Sequence, residues 1–180
     1  MAHTITELNQ MTQAEFVMTL GDVFEHTPSI AEQAWHQRPF TDIANLHQTM
    51  GTLVEQMPAT AQLALIRAHP DLGSRVHMAA ASVQEQTSVG LNRLSSSEYE
   101  QFQTLNTTYQ TKFGFPFIMA IRGQTKDEIL AAFTQRLQNT PASERQRALL
   151  EIQKIARFRL DDLCDTDCDA DVVLSTLEEA

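Results

Sequence analysis

The chain has 180 residues, of which 42% are hydrophobic, and a formal net charge of −10. This length and composition favour one globular domain with a substantial core and exclude a disordered chain. Eight acidic residues and no Lys or Arg follow Arg159, so the rest of the chain is nearly neutral and lacks the basic footprint that nucleic-acid binding needs.

Helix-start signals recur along the chain, and strand patterns are scarce. The capping box, Ser or Thr followed three residues later by Glu, occurs four times before apolar residues at helical spacing, starting at Thr12, Ser29, Ser95 and Thr125. Thr140 and Pro141 are typical of the start of another helix. The run 115–121 is the one strand candidate, and it has no partner. We therefore predict an all-α fold, a single compact domain with roughly seven to nine helices.

The ends of the chain predict a location and a tail. The N-terminal residues show no basic segment followed by an apolar one, and no apolar run approaches the ~18 residues of a membrane span. We expect a cytoplasmic protein with no membrane partner. The domain is predicted to cover residues 1–180 and to end in an acidic tail from about residue 164. Cys164 and Cys168 fall in that tail and are interpreted as reduced thiols, since structural zinc requires four ligands.

The segment 67–86 carries the polar residues most typical of a site. Pro70 is predicted to end an apolar helix over 61–68, which leaves His69 at the end of that helix. Gly73 allows a turn where a side chain would clash. Ser82, Glu85 and Gln86 follow, and we predict that they share one loop with His69.

Arg159 is predicted to point inward from the last helix. It falls on the face of Leu149, Ile152, Ala156 and Leu163, whereas Arg157 lies opposite. A buried guanidinium needs an anion. Helical spacing leaves two partners open: a buried carboxylate in a structural ion pair, or the carboxylate of a substrate.

The stretch 113–123 interrupts the helical pattern. Gly114 and Pro116 break the helix, yet the apolar residues that follow are predicted to be buried, so their backbone amides need partners. Those partners are either groups of the protein or groups of a ligand. Arg122 at its end is free to pair with a ligand or with a surface acid.

Four ordered motifs and an N-terminal segment resemble one family. The motifs are His69-Pro-Asp-Leu-Gly73, Ser82-x-x-Glu-Gln86, Phe113-Gly-Phe-Pro-Phe-Ile-x-Ala-x-Arg122 and Ile155-Ala-Arg-Phe-Arg-Leu-Asp-Asp-Leu163. Phe24-Glu-His-Thr-Pro-Ser-Ile-Ala31 and Ala34-Trp-His-Gln-Arg-Pro-Phe40 add to the match. Together they resemble 2-oxo-4-hydroxy-4-carboxy-5-ureidoimidazoline (OHCU) decarboxylase, of the ureide pathway from urate to allantoin. The resemblance covers most of the chain, through about Leu163.

The resemblance implies the activity, the site and the assembly. It implies an all-helical homodimer that decarboxylates OHCU to (S)-allantoin without a metal or organic cofactor. His69 matches the catalytic acid/base and Glu85 its partner in the site. The substrate-contacting positions of the family fall on Pro70, Ser82, Gln86, the backbone of Phe117, Ile118, Met119, Ala120 and Ile121, and the carboxylate-binding Arg159.

The sequence leaves two alternatives to the decarboxylase open. The first is a metal-dependent hydrolase of a related ureide that uses His69, His77 and Glu85, although their spacing fits no compact ligand pattern. The second is a helical interaction module whose acidic tail docks a basic partner. The near-neutral body and the polar cluster in the segment 67–86 favour the enzyme.

Overall fold

The computed structural model describes residues 2–74 and 80–164. Within these residues the chain forms nine α-helices and one 3-10 turn, and an isolated bridge between His3 and Cys164 is its sole β pairing. The all-α prediction is confirmed. His77, Cys168 and the acidic tail after Cys164 lie outside the described residues. The helices are α1 Ile5–Gln10, α2 Gln13–Leu20, α3 Ser29–Trp35, α4 Ile43–Gln56, α5 Ala59–Ala68, α6 Ala80–Ser88, α7 Ser96–Phe113, α8 Lys126–Arg136 and α9 Pro141–Leu163, with the 3-10 turn at Leu91–Arg93.

Capping boxes begin several of these helices. The boxes predicted at Thr12, Ser95 and Thr125 are confirmed, with both reciprocal hydrogen bonds present in each. The box predicted at Ser29 is wrong. The N-cap of α3 is Pro28, one residue before the predicted cap, and Ser29 is already the first helical residue. Its fixed backbone geometry suits Pro28 to a helix start. A box at Thr4 that was not predicted caps α1.

The core forms around α9. This helix packs against α4, α5 and α7, while α2, α3 and α4 pack in sequence beside it. A cluster of aromatic rings fills the space between α7, α8 and the segment after α7, with Phe117 and Phe133 stacked at a centroid distance of 3.7 Å. Tyr109 packs edge-on against both rings. Among the described residues, no helix is long and apolar enough to cross a membrane.

The inward face of α9 carries charge at regular intervals. Glu144, Glu151 and Arg159 are all buried, and they are spaced by about two turns each along the helix. Leu149 and Leu163, predicted on the apolar face, are only half-buried and lie at its edge. The inward position of Arg159 is confirmed, with 5% of the residue exposed.

Residues 115–121 form an irregular segment and not a strand. Gly114 ends α7 in the left-handed conformation at φ 77°, which turns the chain away from the helix axis. The carbonyl of Ile118 accepts a hydrogen bond of 2.6 Å from Arg136, and the amide of Ala120 donates one of 2.9 Å to Glu151. The protein therefore satisfies part of the buried backbone of this segment itself.

Candidate active site

The predicted site residues lie on two elements and not in one loop. His69 is the C-cap of α5, whereas Ser82, Glu85 and Gln86 all lie on α6. The prediction of a shared loop is wrong because these three positions have the i, i+3, i+4 spacing that places side chains on one helix face. That face points at His69. Ser82 and Gln86 are buried, and Glu85 remains partly exposed.

His69 is a buried, neutral imidazole in a defined tautomer. The backbone of His69 is extended, at φ −75° and ψ 141°, and Pro70 follows it, so α5 ends as predicted. Its Nδ1 lies 3.0 Å from the carbonyl oxygen of Leu65. A carbonyl only accepts, so Nδ1 carries the proton and Nε2 keeps a lone pair. Burial lowers the pKa of His69 to about 4, against the opposing effects of the Leu65 hydrogen bond and the charge of Glu25.

The loop after His69 is fixed by side chains from two helices. The amide of Gly73 donates to Oε1 of Gln86 at 2.9 Å, and Asn106 of α7 donates to the carbonyl of Leu72 at 2.9 Å. Gly73 has φ +71°, and a Cβ there would lie 3.0 Å from Leu94, so the clash expected for a side chain at this turn is confirmed. Gln86 thus holds the loop that follows the histidine.

Arg159 is the centre of a buried hydrogen-bond cluster. Its guanidinium donates to both oxygens of Glu85, at 2.8 and 3.1 Å, and to Glu25 at 3.0 Å. It also donates to the hydroxyl of Ser82 and to the carbonyl of Asp22, each at 3.1 Å. These contacts engage all five of its N–H donors. The structural ion pair, one of the two open readings of the spacing, is thus present, and substrate binding by Arg159 stays a prediction.

The two carboxylates keep Arg159 charged. Burial alone would lower the pKa of its guanidinium, but the hydrogen bonds and charges of Glu85 and Glu25 raise that pKa above its ordinary value. The two partners differ in their surroundings: the side chain of Glu85 is 18% exposed, and that of Glu25 is fully buried.

Glu25 belongs to the cluster and was missed by sequence reasoning. It lies in the connection between α2 and α3, accepts from Ser82 at 2.9 Å and from Arg159 at 3.0 Å, and is 1% exposed. Its partner on α9 is 134 residues away in the sequence. The resemblance in the segment after Phe24 pointed to this region but gave Glu25 no role.

One small cavity joins most of the predicted site residues. It has a volume of about 30 Å³, room for one or two waters. Ala120 does not line it, and its amide is bound to Glu151. Arg159 does not line it either, but it contacts two of the lining residues, Glu85 and Ser82, and shares a neighbouring pocket of about 220 Å³ with Glu85. The cavity is lined by His69, Pro70, Leu72, Ser82, Glu85, Gln86, Phe117, Ile118, Met119, Ile121 and Ile155.

The structure bears on two further predictions, the partner of Arg122 and the metal site of the hydrolase alternative. Arg122 forms a two-pronged ion pair with Asp162 and stacks on Phe158, so it pairs with a surface acid. Residues 2–74 and 80–164 contain no group of three or more His, Cys, Asp or Glu arranged to hold a metal ion. The proposed ligand His77 lies outside them.

Fold and site together define a class: an all-α protein in which a neutral histidine adjoins a buried arginine–carboxylate cluster. A sequence model of OHCU decarboxylase matches residues 9–161. The chain belongs to the OHCU decarboxylase family.

Named relatives match nearly the whole chain. The 2-oxo-4-hydroxy-4-carboxy-5-ureidoimidazoline decarboxylase of Halalkalicoccus jeotgali is 44% identical over 160 residues, which are 89% of this chain and 91% of the relative. The mouse protein of the same name is 35% identical, over 88% and 92% of the two chains. The uric acid degradation bifunctional protein of Bacillus subtilis is also 44% identical, but this chain spans 32% of its length.

Solved structures share the fold. A crystal structure of (S)-allantoin synthase superposes with a TM-score of 0.72 at 32% identity, over 90% of this chain and 54% of that one. A crystal structure of OHCU decarboxylase in the presence of (S)-allantoin gives a TM-score of 0.66 at 27% identity, over 85% and 98%.

Proposed function

We propose that this protein catalyses the decarboxylation of OHCU to (S)-allantoin and carbon dioxide in urate degradation, as a carbon–carbon lyase. Membership of the OHCU decarboxylase family supports the reaction. The observation that carries it to this chain is the contact of Glu85 with Arg159 beside the neutral imidazole of His69. A base, a carboxylate and a guanidinium are the groups that this substrate needs.

The reaction is a proton rearrangement around the loss of carbon dioxide. In OHCU the hydroxyl and the carboxylate share one ring carbon, and the neighbouring carbon carries the ureido group. When the carbon–carboxylate bond breaks, its electron pair forms a double bond to the ureido-bearing carbon, and the C=N bond of that carbon shifts its electrons to the ring nitrogen. The nitrogen takes a proton from solvent, and the product of this step is an enol. The hydroxyl then gives up its proton to become a carbonyl. The ureido-bearing carbon gains a proton and becomes the stereocentre of allantoin.

His69 is proposed to move these protons. Its tautomer leaves Nε2 without a proton, so this atom accepts the proton of the hydroxyl as a general base. The imidazolium formed in that step then protonates the ring carbon from one face. Delivery from one fixed side chain gives a single enantiomer, whereas solvent would protonate both faces.

Arg159 is proposed to bind the substrate carboxylate, and Glu85 is proposed to assist the transfer of the hydroxyl proton. Arg159 has no spare donor, so the carboxylate must replace an existing partner. Glu85 is the replaceable one because it is partly exposed and lines the cavity. Once released from Arg159, its carboxylate is free to accept a hydrogen bond from the substrate hydroxyl. The remaining walls are proposed to contact the substrate through Pro70, Ser82, Gln86 and the backbone of Phe117, Ile118, Met119, Ala120 and Ile121.

A coupled assay tests the function. OHCU is generated from urate by the upstream oxidase and hydrolase, and the purified protein is added after treatment with EDTA. We expect rapid growth of the circular-dichroism signal of (S)-allantoin. Optically inactive allantoin formed at the uncatalysed rate would overturn the proposal, and activity lost to EDTA and restored by a metal would favour the hydrolase alternative.

The assembly and the location are also proposals. The family resemblance supports a homodimer, and sedimentation velocity tests it: we expect a species of twice the 20.2 kDa chain mass. A cytoplasmic location is tested by cell fractionation. The interaction-module alternative predicts instead that deletion of residues 165–180 abolishes binding to a partner, while the decarboxylase proposal predicts that this deletion leaves the activity intact.

A further inference from the structure

Glu25 is a buried carboxylate with an unusual environment. One oxygen, Oε2, accepts from both Arg159 and Ser82, at 3.0 and 2.9 Å. The other, Oε1, is buried and has no hydrogen-bond partner among the described residues. The ring of His26 lies 3.9 Å from it, which is too far for a hydrogen bond, and the side chain of His26 is 63% exposed. A buried oxygen left unpaired is costly and calls for a reason.

The backbone beside Glu25 is also strained. His26 has φ +48°, the left-handed region that residues other than glycine seldom adopt. This conformation lies in the α2–α3 connection, where the side chain of Glu25 points into the protein and that of His26 lies at the surface. Strain of this kind clusters at functional sites. Packing alone does not account for a carboxylate at position 25, because an apolar residue there would avoid the cost of burying a charge.

We propose that Glu25 is a positioning residue of the active site: it is the permanent counter-ion of Arg159, and its negative charge stabilises the protonated form of His69 during turnover. The proposal rests on the proposed decarboxylation, because it assigns His69 a protonated intermediate. It adds a residue that acts through two others and does not itself touch the substrate.

The first role follows from the two carboxylates around Arg159. If the substrate carboxylate takes the place of Glu85, Arg159 keeps a charged partner only because Glu25 stays bound. Glu25 is suited to stay, since its side chain is fully buried and is held by Ser82 as well. Arg159 therefore remains oriented toward α6 while one of its partners is exchanged.

The second role follows from the charges around His69. Glu25 accepts a hydrogen bond of 2.9 Å from Ser82, and Ser82 lines the same cavity as His69, so one side chain separates the carboxylate from that cavity. Burial and the positive charges of Arg159 and His26 oppose the imidazolium, and the charge of Glu25 favours it. Among residues 2–74 and 80–164, the ionisable groups near the pair are Glu25 and His26 from the α2–α3 connection, Glu85 from α6 and Arg159 from α9. Asp71 follows α5, and its carboxylate accepts a hydrogen bond from Gln110. Among these, Glu25 is the fixed and fully buried anion.

A titration of His69 tests the second role without any substrate. The ring is labelled with ¹⁵N, and its chemical shift over a series of pH values around 4 reports the protonated fraction. In Glu25→Gln the amide keeps a hydrogen-bond acceptor for Ser82 and Arg159 but loses the charge, so the midpoint should move down by about one pH unit. Glu25→Asp keeps the charge and should titrate close to the wild type. A Glu25→Gln protein with an unchanged titration would overturn this role.

Kinetics in the coupled assay test both roles together. Glu25→Gln should lower kcat about 10- to 100-fold, because the protonated histidine is less stable, and change KM by less than about threefold. Glu25→Asp should recover most of kcat. This second variant keeps the charge, so it tests the proposal even if Glu25→Gln does not fold. Equal kcat values for Glu25→Gln and the wild type would overturn the proposal. Absence of turnover in the wild type would instead refute the proposed function, while the titration would still test Glu25.

Discussion

At the residue scale, the account depends on Arg159, a buried cation between two carboxylates. Its contacts explain how the chain tolerates this charge: Glu85 and Glu25 neutralise it, and Ser82 and the carbonyl of Asp22 take the remaining donors. Removal of the cation alone would leave the buried carboxylate of Glu25 and the partly exposed carboxylate of Glu85 without compensation. That situation is far more costly than the loss of an exposed ion pair.

A matched pair of arginine variants on α9 measures this cost. Arg159→Met keeps an unbranched apolar stem and removes the charged guanidinium, and we expect it to lower the free energy of unfolding by about 3–5 kcal/mol. Arg157→Met breaks a partly exposed pair with Asp161 and should cost about 1 kcal/mol or less. Urea denaturation followed by circular dichroism gives both values. Equal losses for the two variants would contradict the buried cluster.

Sequence reasoning at this scale succeeded where periodicity decides the outcome. The three- and four-residue spacing along α9 was enough to place Arg159 inside. Its partner Glu25 lies 134 residues away in an irregular connection, where no periodicity applies. Pairing across such a distance is set by the packing of whole helices, so the family resemblance could point to the segment but the spacing could not identify the residue.

At the element scale, α9 acts as the frame of the site. Arg159 reaches α6 and the α2–α3 connection, Glu151 binds the amide of Ala120, and Glu144 joins Tyr109 and Arg136 in a buried network. Burial and the hydrogen bond to Glu144 raise the pKa of Tyr109, so the hydroxyl stays protonated and donates. Arg136 in turn donates to the carbonyl of Ile118. The irregular segment is thus tied to α9 directly through Glu151 and indirectly through Arg136 of α8, which binds Glu144.

Variants of Glu151 test this frame. Glu151→Ala removes the acceptor of the Ala120 amide, and we expect kcat/KM to fall about 10-fold as the segment shifts, since a buried hydrogen bond is worth about 1–3 kcal/mol when one partner is lost. Glu151→Gln keeps an acceptor oxygen and should stay near the wild type. Lys154→Ala, which removes only an exposed ion pair to Glu151, serves as the control. Wild-type kinetics for Glu151→Ala would show that this anchor is dispensable.

Local sequence signals predicted most helix starts but not the content of the site loop. Capping boxes depend on residues three apart, so Thr12, Ser95 and Thr125 could be identified from sequence. The low apolar content of α6 hid this helix, and its residues were assigned to a loop. Their spacing carried the missing information, because Ser82, Glu85 and Gln86 share one helical face.

At the scale of the whole molecule, the buried neutral histidine links stability to pH. The pKa of His69 is about 4 in the folded protein, against 6.5 for an ordinary histidine. Between these values the unfolded chain binds a proton that the folded protein does not, so stability falls as the pH falls from about 6.5 to about 4. The full loss from this group is about 3 kcal/mol.

Replacement of His69 should remove this pH dependence. His69→Asn does not titrate, so its free energy of unfolding should fall by about 3 kcal/mol less than that of the wild type between pH ~7 and pH ~4. The carboxylates shared by both proteins titrate alike and cancel in the comparison. Urea denaturation at a series of pH values measures the difference. Parallel pH curves for the two proteins would mean that His69 titrates normally.

The most direct test of the central claim is the optical activity of the product formed by the wild type and by His69→Asn. The asparagine amide can take the place of Nδ1 opposite the Leu65 carbonyl, but it lacks an equivalent of Nε2. In the coupled assay with EDTA, the wild type is predicted to give (S)-allantoin. The variant is predicted to be about 10²- to 10⁴-fold slower, so spontaneous, optically inactive product dominates. Formation of (S)-allantoin by His69→Asn at the wild-type rate would contradict the account.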